Sequence, residues 1–226
     1  MKTKLLTVAL CGALSQTSLA DNNSDHNGYY PHMKKYEVTI TNAHAYHVLT
    51  PTVVTVHKPR FKLFTIANPA SEGLAHQAEN GDPSVLLSEL DANPYVINAT
   101  TNGELVPPGH STTIEIMAPH RSRISVSSML AGTNDAFIAV RGMKTPKRRS
   151  QSRASVYDAG SEANNEDCAF IPGPPCSPES GNMRATDDAE GFVTLSNGIH
   201  GIKDLSPQDS DWRGPVATVS IKRVHK

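Results

Sequence analysis

Short segments in which apolar and polar residues alternate recur along this chain, and they restrict its fold more than any other feature. From 35 to 41, Tyr36, Val38 and Ile40 alternate with polar residues, which is the two-residue period of a half-buried strand. Further strand candidates lie at 52–56, 95–100, 111–117, 121–129, 137–140, 191–195 and 216–221. About eight short strands separated by glycine and proline predict an all-β fold, an antiparallel β-sandwich.

Two segments have the sequence signals of short helices. The first, 69–80, is followed by a glycine. The second begins where Asp82 can act as the cap and Pro83 can occupy the first helical position. We expect these one or two helices to be inserted at one edge or end of the sandwich. The polar, basic stretch 142–154 and the Pro-, Gly- and Ser-rich stretch 167–188 are predicted to be long surface loops.

The N-terminus has the pattern of a secretory signal. Two lysines, at positions 2 and 4, precede an apolar run over 5–14, and small residues stand at 18 and 20. The run is too short to span a membrane. We therefore predict a signal peptide over 1–20 with cleavage near Ala20, a flexible leader over 21–34 and one domain over 35–224. The mature protein is expected to be secreted or periplasmic, with no transmembrane segment.

Composition excludes some classes of function. Without the two N-terminal lysines, 19 basic residues face 22 acidic ones, a formal net charge of −3, so no general attraction to nucleic acid is expected. Neither Gly-x-Ser-x-Gly nor His-Glu-x-x-His occurs, so an extracellular hydrolase is the less favoured class. The basic residues between Arg141 and Arg153 are interpreted as a solvated excursion, with contact to an acidic polymer as the alternative.

Three cysteines are present, and one of them lies inside the predicted signal. Cys11 would mark a lipoprotein, but a leucine precedes it where a small residue is needed. Cys168 and Cys176 remain after cleavage, and in an oxidising compartment a local disulfide between them is predicted. A zinc site is the alternative, although a second pair of ligands at regular spacing is missing.

Carboxylates occur in two segments that flank the apolar run 137–140. Asp135 comes directly before that run, and Asp158 and Glu162 lie in a glycine-containing stretch that follows the basic excursion. Ca²⁺ takes about 6–8 oxygen ligands in flexible geometry, and it commonly draws carboxylates from separate loops. A cation site at these residues is one interpretation, and a pair of solvated polar loops is the other.

Several segments, in order along nearly the whole mature chain, resemble the spondin domain, and most closely its bacterial secreted members. The matching stretches are 36–42, 63–64, 75–83, 108–109, 129–137, 157–162, 197–201 and 211–217. The resemblance implies a C2-like sandwich of eight strands, a bound Ca²⁺ as in animal members, and a role in matrix attachment, cell adhesion or surface recognition. It implies no catalysis.

The resemblance also assigns the calcium ligands. It places them at Asp135, Asp158 and Glu162, the last at a position where the family often has aspartate. The longer glutamate can still bind, since Ca²⁺ accepts mono- or bidentate carboxylates. These three side chains are expected to converge on one point, with Glu166 and Asp167 as bystanders. The partner is expected to be an extracellular protein or polysaccharide that the sequence does not identify.

A copper site is the competing hypothesis. Some secreted copper-binding proteins of methane-oxidising bacteria are similar to this fold and hold copper with two histidines and an oxidised tryptophan. Trp212 is the one tryptophan of this chain, and no Trp-x-His pair occurs. Neutral imidazole suits copper. His57 and His110, at a strand end and a strand start, are the first choice of ligands.

Overall fold

The structure, a computed structural model, describes residues 32–177 and 183–224. The strands are β1 (Met33–Asn42), β2 (Val53–His57), β3 (Val96–Thr101), β4 (Ser111–Pro119), β5 (Arg123–Met129), β6 (Ala136–Lys144), β7 (Arg149–Asp158), β8 (Thr194–Leu195) and β9 (Ala217–Arg223). The helices are α1 (Glu72–Asn80), α2 (Ser84–Asp91) and α3 (Pro207–Ser210). The predicted signal peptide and most of the predicted leader lie outside the described residues, and β1 begins two residues before the predicted start of the domain.

One antiparallel sheet contains the nine strands of the described residues. Eight of them follow the order β3-β2-β5-β6-β7-β9-β1-β4, and β8 joins the sheet by pairing with β7. β7 joins the two halves of this sheet. Its first part, 149–154, pairs with β9, and its last part, 155–158, pairs with β6. The halves fold toward each other around a shared core, so the predicted all-β sandwich is confirmed.

Buried apolar side chains form two clusters, one on each face of β6. Ile138 and Val140 join the core between the two halves of the sheet. Phe137 and Ala139 join a second cluster under α1 and α2, which also contains Tyr157. Because both faces of the first half of β6 are covered, its sequence over 136–140 is continuously apolar instead of alternating.

The two inserted helices cover the outer face of the β2–β5–β6 half. α1 is capped by Ser71, whose hydroxyl accepts a hydrogen bond from the Leu74 N–H, and it ends at Gly81 in the left-handed conformation. α2 follows at once, and Asp82 accepts the Ser84 N–H at 2.9 Å. Leu74 and Leu86 carry the apolar faces of the helices into the second cluster.

The prediction of a surface loop over 142–154 is wrong. β6 extends to Lys144, and β7 occupies most of the remainder. Exposed Arg149, Gln151 and Arg153 alternate with less exposed serines on this strand. The strand follows the two-residue period, but small serines stand where apolar residues usually mark the inner face. Asp158 is consequently the last residue of a strand and not a loop residue.

The sulfur atoms of Cys168 and Cys176 are at disulfide-bonding distance, as predicted, with their Cα atoms 5.2 Å apart. The bridge closes a segment whose Ile171 is fully buried in the main core and whose Pro172 carbonyl accepts the Gly132 N–H at 3.1 Å. In the described part of the chain, no helix has the length and apolar character that crossing a membrane requires.

Candidate functional site

Strand register places Asp135 beside Asp158. Asp135 directly precedes β6, and its neighbour Ala136 is the register partner of Asp158. The Ala159 N–H donates to the Asp135 carbonyl at 3.2 Å, which extends the ladder by one bond. Residues opposite each other on paired strands lie close together. The two carboxylates therefore share one end of the sheet although 23 residues separate them in sequence.

A turn after β7 folds Glu162 back onto Asp135. Asp135 Oδ2 accepts hydrogen bonds from the Ser161 N–H at 2.7 Å, the Ser161 hydroxyl at 3.1 Å and the Glu162 N–H at 3.0 Å. Gly160 makes this turn possible, because its φ is +66° and a Cβ there would lie 2.3 Å from the Phe192 carbonyl oxygen. The structure thus brings all three predicted ligands together in one acidic cluster, defined as Asp135, Asp158 and Glu162.

Polar groups of the surrounding loops hold the other two carboxylates of the acidic cluster. Asp158 accepts from the Gly160 N–H at 2.7 Å and from the Asn164 amide at 2.5 Å. Glu162 accepts from the Ala185 N–H at 3.1 Å through Oε1. Each carboxylate is aimed at backbone or amide donors and is fixed by them.

Two oxygens of the acidic cluster remain without a partner. Asp135 Oδ1 and Glu162 Oε2 are buried and accept no hydrogen bond from the described residues, and the two side chains are 0% and 1% exposed. A buried, unsatisfied carboxylate oxygen is costly and uncommon in folded proteins. These two oxygens are therefore the groups of the cluster that are free to accept a hydrogen bond or to bind a cation.

Burial raises the pKa of all three carboxyls. The pKa of Asp135 is raised to about 7, by burial first and then by the charge of Asp158. Burial raises the pKa of Asp158 to about 6, against the lowering effect of the Asn164 amide. The pKa of Glu162 is raised to about 7 by burial first, and the charges of Glu79 and Asp135 add to the shift. Near neutral pH the cluster is thus poised to take up positive charge, as protons or as a metal ion.

A fourth carboxylate, from α1, lies next to the acidic cluster. Glu79 is buried and pairs with Arg184, whose Nη2 lies 2.6 Å from Glu79 Oε1. The charges of Glu79, Glu162 and Asp135 all raise the pKa of Arg184, so this one guanidinium faces several acidic groups. Sequence reasoning missed Glu79, because only the packing of α1 on the sheet brings it to this end of the molecule.

A cavity of about 420 Å³ borders the acidic cluster at Asp158. Asn164, Glu190 and His200 also line it. The Asn164 amide donates to Glu190 at 3.0 Å as well as to Asp158, and Glu190 and His200 are exposed. Asp158 is therefore reached from the surface through an oxygen-rich opening.

The two acidic residues expected to be bystanders have other partners. Glu166 accepts the His200 N–H at 2.5 Å and the Ile202 N–H at 2.9 Å, one through each carboxylate oxygen. Asp167 pairs with Lys203 at the surface. Glu166 therefore fixes the loop at 200–202.

The expected convergence of the three ligands on one point is not seen. No group of three or more His, Cys, Asp or Glu side chains within 32–177 and 183–224 has the arrangement of a metal site. The reason lies in the hydrogen bonds, since Asp135 and Asp158 are turned toward the N–H groups of 160–162. The carboxylates are neighbours, but each is oriented by its own hydrogen-bond donors.

The structure does not bring His57 and His110 together. His57 ends β2 beside Arg123, whereas His110 directly precedes β4 and its carbonyl accepts the N–H of Asn42, the last residue of β1. The His57 ring is buried, and its nitrogens lie 2.9 Å from the Lys58 carbonyl oxygen and 2.8 Å from the Ser125 hydroxyl. Both nitrogens already have partners, so this ring presents no free lone pair to a metal.

A different pair of histidines lies beside the tryptophan. The ring centroids of His44 and His47 are 4.7 Å apart, and they lie 6.1 and 5.6 Å from that of Trp212. His44 Nδ1 accepts the N–H groups of Tyr46 and His47, both at 3.0 Å. The His47 nitrogens lie 2.6 and 2.8 Å from carbonyl oxygens. These rings hold backbone segments together, a role that their spacing in sequence did not reveal.

Comparison with known proteins does not identify a family for this chain. No protein-family model matches the chain, and no curated protein is significantly similar to it. The resemblance to the spondin domain stays a prediction from the sequence.

Proposed function

We propose that this protein is a non-enzymatic binding protein of the cell exterior, of the spondin type, with a Ca²⁺ ion held by Asp135, Asp158 and Glu162. The observation that carries the proposal is the pair of buried, unpartnered oxygens, Asp135 Oδ1 and Glu162 Oε2, in a cluster of three carboxylates. Oxygen-only donors in a flexible coordination geometry are the set that Ca²⁺ prefers.

The cation would compensate a local excess of negative charge. Arg184 pairs with Glu79, and the charges of Glu162 and Asp135 also act on its guanidinium. Buried carboxylates of like charge repel each other unless a proton or a cation intervenes. A bound divalent ion would tie the start of β6 to the turn at 158–162 and to the segment around Ala185, which donates to Glu162.

Other features support a role outside the cytoplasm. The predicted signal over 1–20 and the cysteine pair at disulfide distance both suit an oxidising compartment. The resemblance to bacterial secreted spondin domains suggests a periplasmic or secreted location and an extracellular protein or polysaccharide as the partner. No catalytic role is proposed, since the resemblance to the spondin domain implies none.

The test is a thermal melt of the purified protein in EDTA and in excess CaCl₂. Wild-type protein is expected to gain several degrees with Ca²⁺, because a ligand that binds the folded state raises its stability. Asp135→Asn is expected to lose most of that gain. Asp91→Asn, at an exposed position at the end of α2, removes the same charge and is the matched control. If calcium does not shift the wild-type melting temperature, the proposal is wrong.

Metal analysis of the protein as purified also addresses the copper alternative. His57 and His110 stand apart, and no observation on the described residues favours copper at either. Calcium in about one equivalent supports the proposal. Copper that survives dialysis of the wild type and is absent from His57→Ala would contradict the calcium proposal and support the copper site.

A further inference from the structure

A second cavity, of about 340 Å³, opens on the outer face of the sheet beside the end of β2. Its walls include His57, Phe61, Lys62, Phe64, Arg123 and Arg141. Arg141 lies six residues beyond Asp135 along β6, a separation of roughly 20 Å for an extended strand. This basic cavity is therefore distinct from the acidic cluster.

Three cationic side chains face the basic cavity, and none of its lining residues is acidic. Lys62, Arg123 and Arg141 form no ion pair with a carboxylate in the described part of the chain, where six other basic side chains do. Three uncompensated cations around a concave site attract anions, because the field of like charges is focused in a cleft. The charge of the site is thus opposite to that of the protein as a whole.

Aromatic rings hold one of these cations in place. The Arg141 guanidinium lies 4.9 Å from the centroid of Phe64 and 5.4 Å from that of Tyr157. Both rings belong to the rigid second cluster. Arg123 is anchored by the Gly142 carbonyl at 3.4 Å. Stacked, anchored guanidinium groups lose little conformational freedom when they bind an anion.

The polar groups on the floor of the basic cavity already have hydrogen-bond partners. His57 Nδ1 donates to the Lys58 carbonyl, so Nε2 accepts from the Ser125 hydroxyl. The Ser125 oxygen in turn accepts the Gly142 N–H at 2.9 Å. The ring is therefore neutral and bonded at both nitrogens, which leaves the cationic side chains on the walls as the groups free to bind a ligand.

We propose that this basic cavity binds a phosphate or sulfate monoester, with Lys62, Arg123 and Arg141 contacting the anionic oxygens and Phe61 and Phe64 contacting the organic part. Arginine forks match the oxygens of such groups, and a lysine adds a point charge. The volume is at the lower end of the range for small-ligand pockets, about 300–1,000 Å³, so a single small group fits better than a polymer segment.

The test is a titration with inorganic phosphate and, separately, inorganic sulfate, in calcium-free buffer at constant ionic strength set with NaCl. Binding is followed by isothermal titration calorimetry. The wild-type protein is expected to bind at least one of the two anions saturably. Lys62→Gln with Arg141→Gln is expected to weaken binding at least about tenfold, since two charge-assisted contacts are lost.

The matched control is Lys147→Gln with Arg153→Gln, which removes the same charge from exposed positions outside the cavity. Its affinity should stay within about twofold of the wild type. Lys62→Gln alone changes an exposed side chain and keeps the packing of Arg141, so it should fold like the wild type. It should still bind the anion more weakly than the wild type, and misfolding would not explain that loss. Phosphate binding alone identifies a phosphate ester, and preference for sulfate identifies a sulfate ester. No saturable binding, or equal losses in both double variants, overturns the proposal.

Discussion

Backbone N–H groups, a serine hydroxyl and an asparagine amide hold the three carboxylates of the acidic cluster in position. Asp135 accepts two backbone N–H groups and a hydroxyl through one oxygen, while its other oxygen is unpartnered. Such donors favour the charged form, whereas burial favours the neutral form. Burial is the larger effect at Asp135. The same competition occurs at His44, where it produces a pH dependence that can be measured.

His44 is expected to reduce the stability of the fold in mild acid. Its pKa is lowered from 6.5 to about 4, by burial first and then by the charge of His47. The unfolded chain therefore binds more protons between pH 6.5 and 4, so the free energy of unfolding falls as the pH falls through that range. We expect a loss of roughly 1–2 kcal/mol from this ring, because the ring keeps some contact with solvent.

The variant His44→Asn isolates this contribution. Its side-chain oxygen can replace Nδ1 as the acceptor for the N–H groups of Tyr46 and His47, and it does not titrate. Urea denaturation at pH 7 and pH 4.5 should show a smaller acid-induced loss in the variant than in the wild type. His76→Asn, on an exposed ring of α1, is the control. Equal losses in all three proteins would show that His44 does not couple to pH.

The sequence predicted which carboxylates would meet but not everything around them. Asp135, Asp158 and Glu162 could be grouped because they flank an apolar run, and adjacent strands bring such positions together. Glu79 and the group of His44, His47 and Trp212 depend on how distant segments pack, and no local pattern encodes that packing. Convergence on one point was also predicted and is not seen, since local N–H donors determine the orientation of each carboxylate.

Helices α1 and α2 approach each other through a glycine. A Cβ on Gly73 would lie 2.6 Å from the Leu86 Cα and 2.7 Å from its nitrogen. Gly→Ala inside a helix ordinarily stabilises by about 0.5–1 kcal/mol. Here we expect Gly73→Ala to destabilise the fold by about 1–3 kcal/mol, because the backbones must separate. Chemical denaturation measures the change.

The control for this substitution is Ser88→Ala, which adds helical propensity at an exposed position of α2. It should leave stability within about 0.5 kcal/mol of the wild type. If Gly73→Ala proves as stable as Ser88→Ala, the close contact between the helices is not required by the fold.

The cysteine pair is expected to contribute through the loop that it closes. The two residues are eight positions apart, and a loop of that length corresponds to about 2.5 kcal/mol of lost unfolded-state entropy. Cys168→Ser with Cys176→Ser should lower the free energy of unfolding by about that amount. Reduction of the wild type with dithiothreitol should give the same value. If reduction has no effect, the thiols are not bonded in the protein.

Strand β7 shows where element prediction reached its limit. Most strands were found because apolar residues occupy alternate positions, as on β1, or form a continuous run, as in the first half of β6. On β7 the first half carries Ser150 and Ser152 on the less exposed face and arginine or glutamine on the other. Pairing with β9 fixes that half as a strand. A strand of this kind has no alternation of apolar residues from which it could be predicted.

The molecule as a whole separates opposite charges along β6. The acidic cluster lies at the start of this strand, and the basic cavity includes Arg141 and Gly142 from its second half. Both sites depend on the same rigid layer of Phe64, Phe137 and Tyr157, whose rings contact one another. A cation at one site and an anion at the other would each reduce the repulsion among like charges in the folded state.

Calcium is expected to reverse the effect of removing one carboxylate from the acidic cluster. The pKa values of Asp135, Asp158 and Glu162 are raised to about 7, 6 and 7. A raised pKa in the folded state gives stability below about pH 4 that is lost as the pH rises through those values. We compare the free energy of unfolding of Asp135→Asn with that of the wild type, without calcium. As the pH rises from 4.5 to 7.5, this difference should shift in favour of the variant by roughly 1–3 kcal/mol.

With saturating calcium at pH 7.5 the wild type should be more stable than Asp135→Asn. The ion compensates the three carboxylate charges of the wild type, whereas the variant has lost one of these ligands. Urea denaturation at both pH values, with EDTA and with CaCl₂, gives the four comparisons. Asp91→Asn should follow the wild type in all of them, since its carboxylate is exposed. A variant that keeps the same stability relative to the wild type in all four conditions would show that Asp135 is coupled neither to protons nor to calcium.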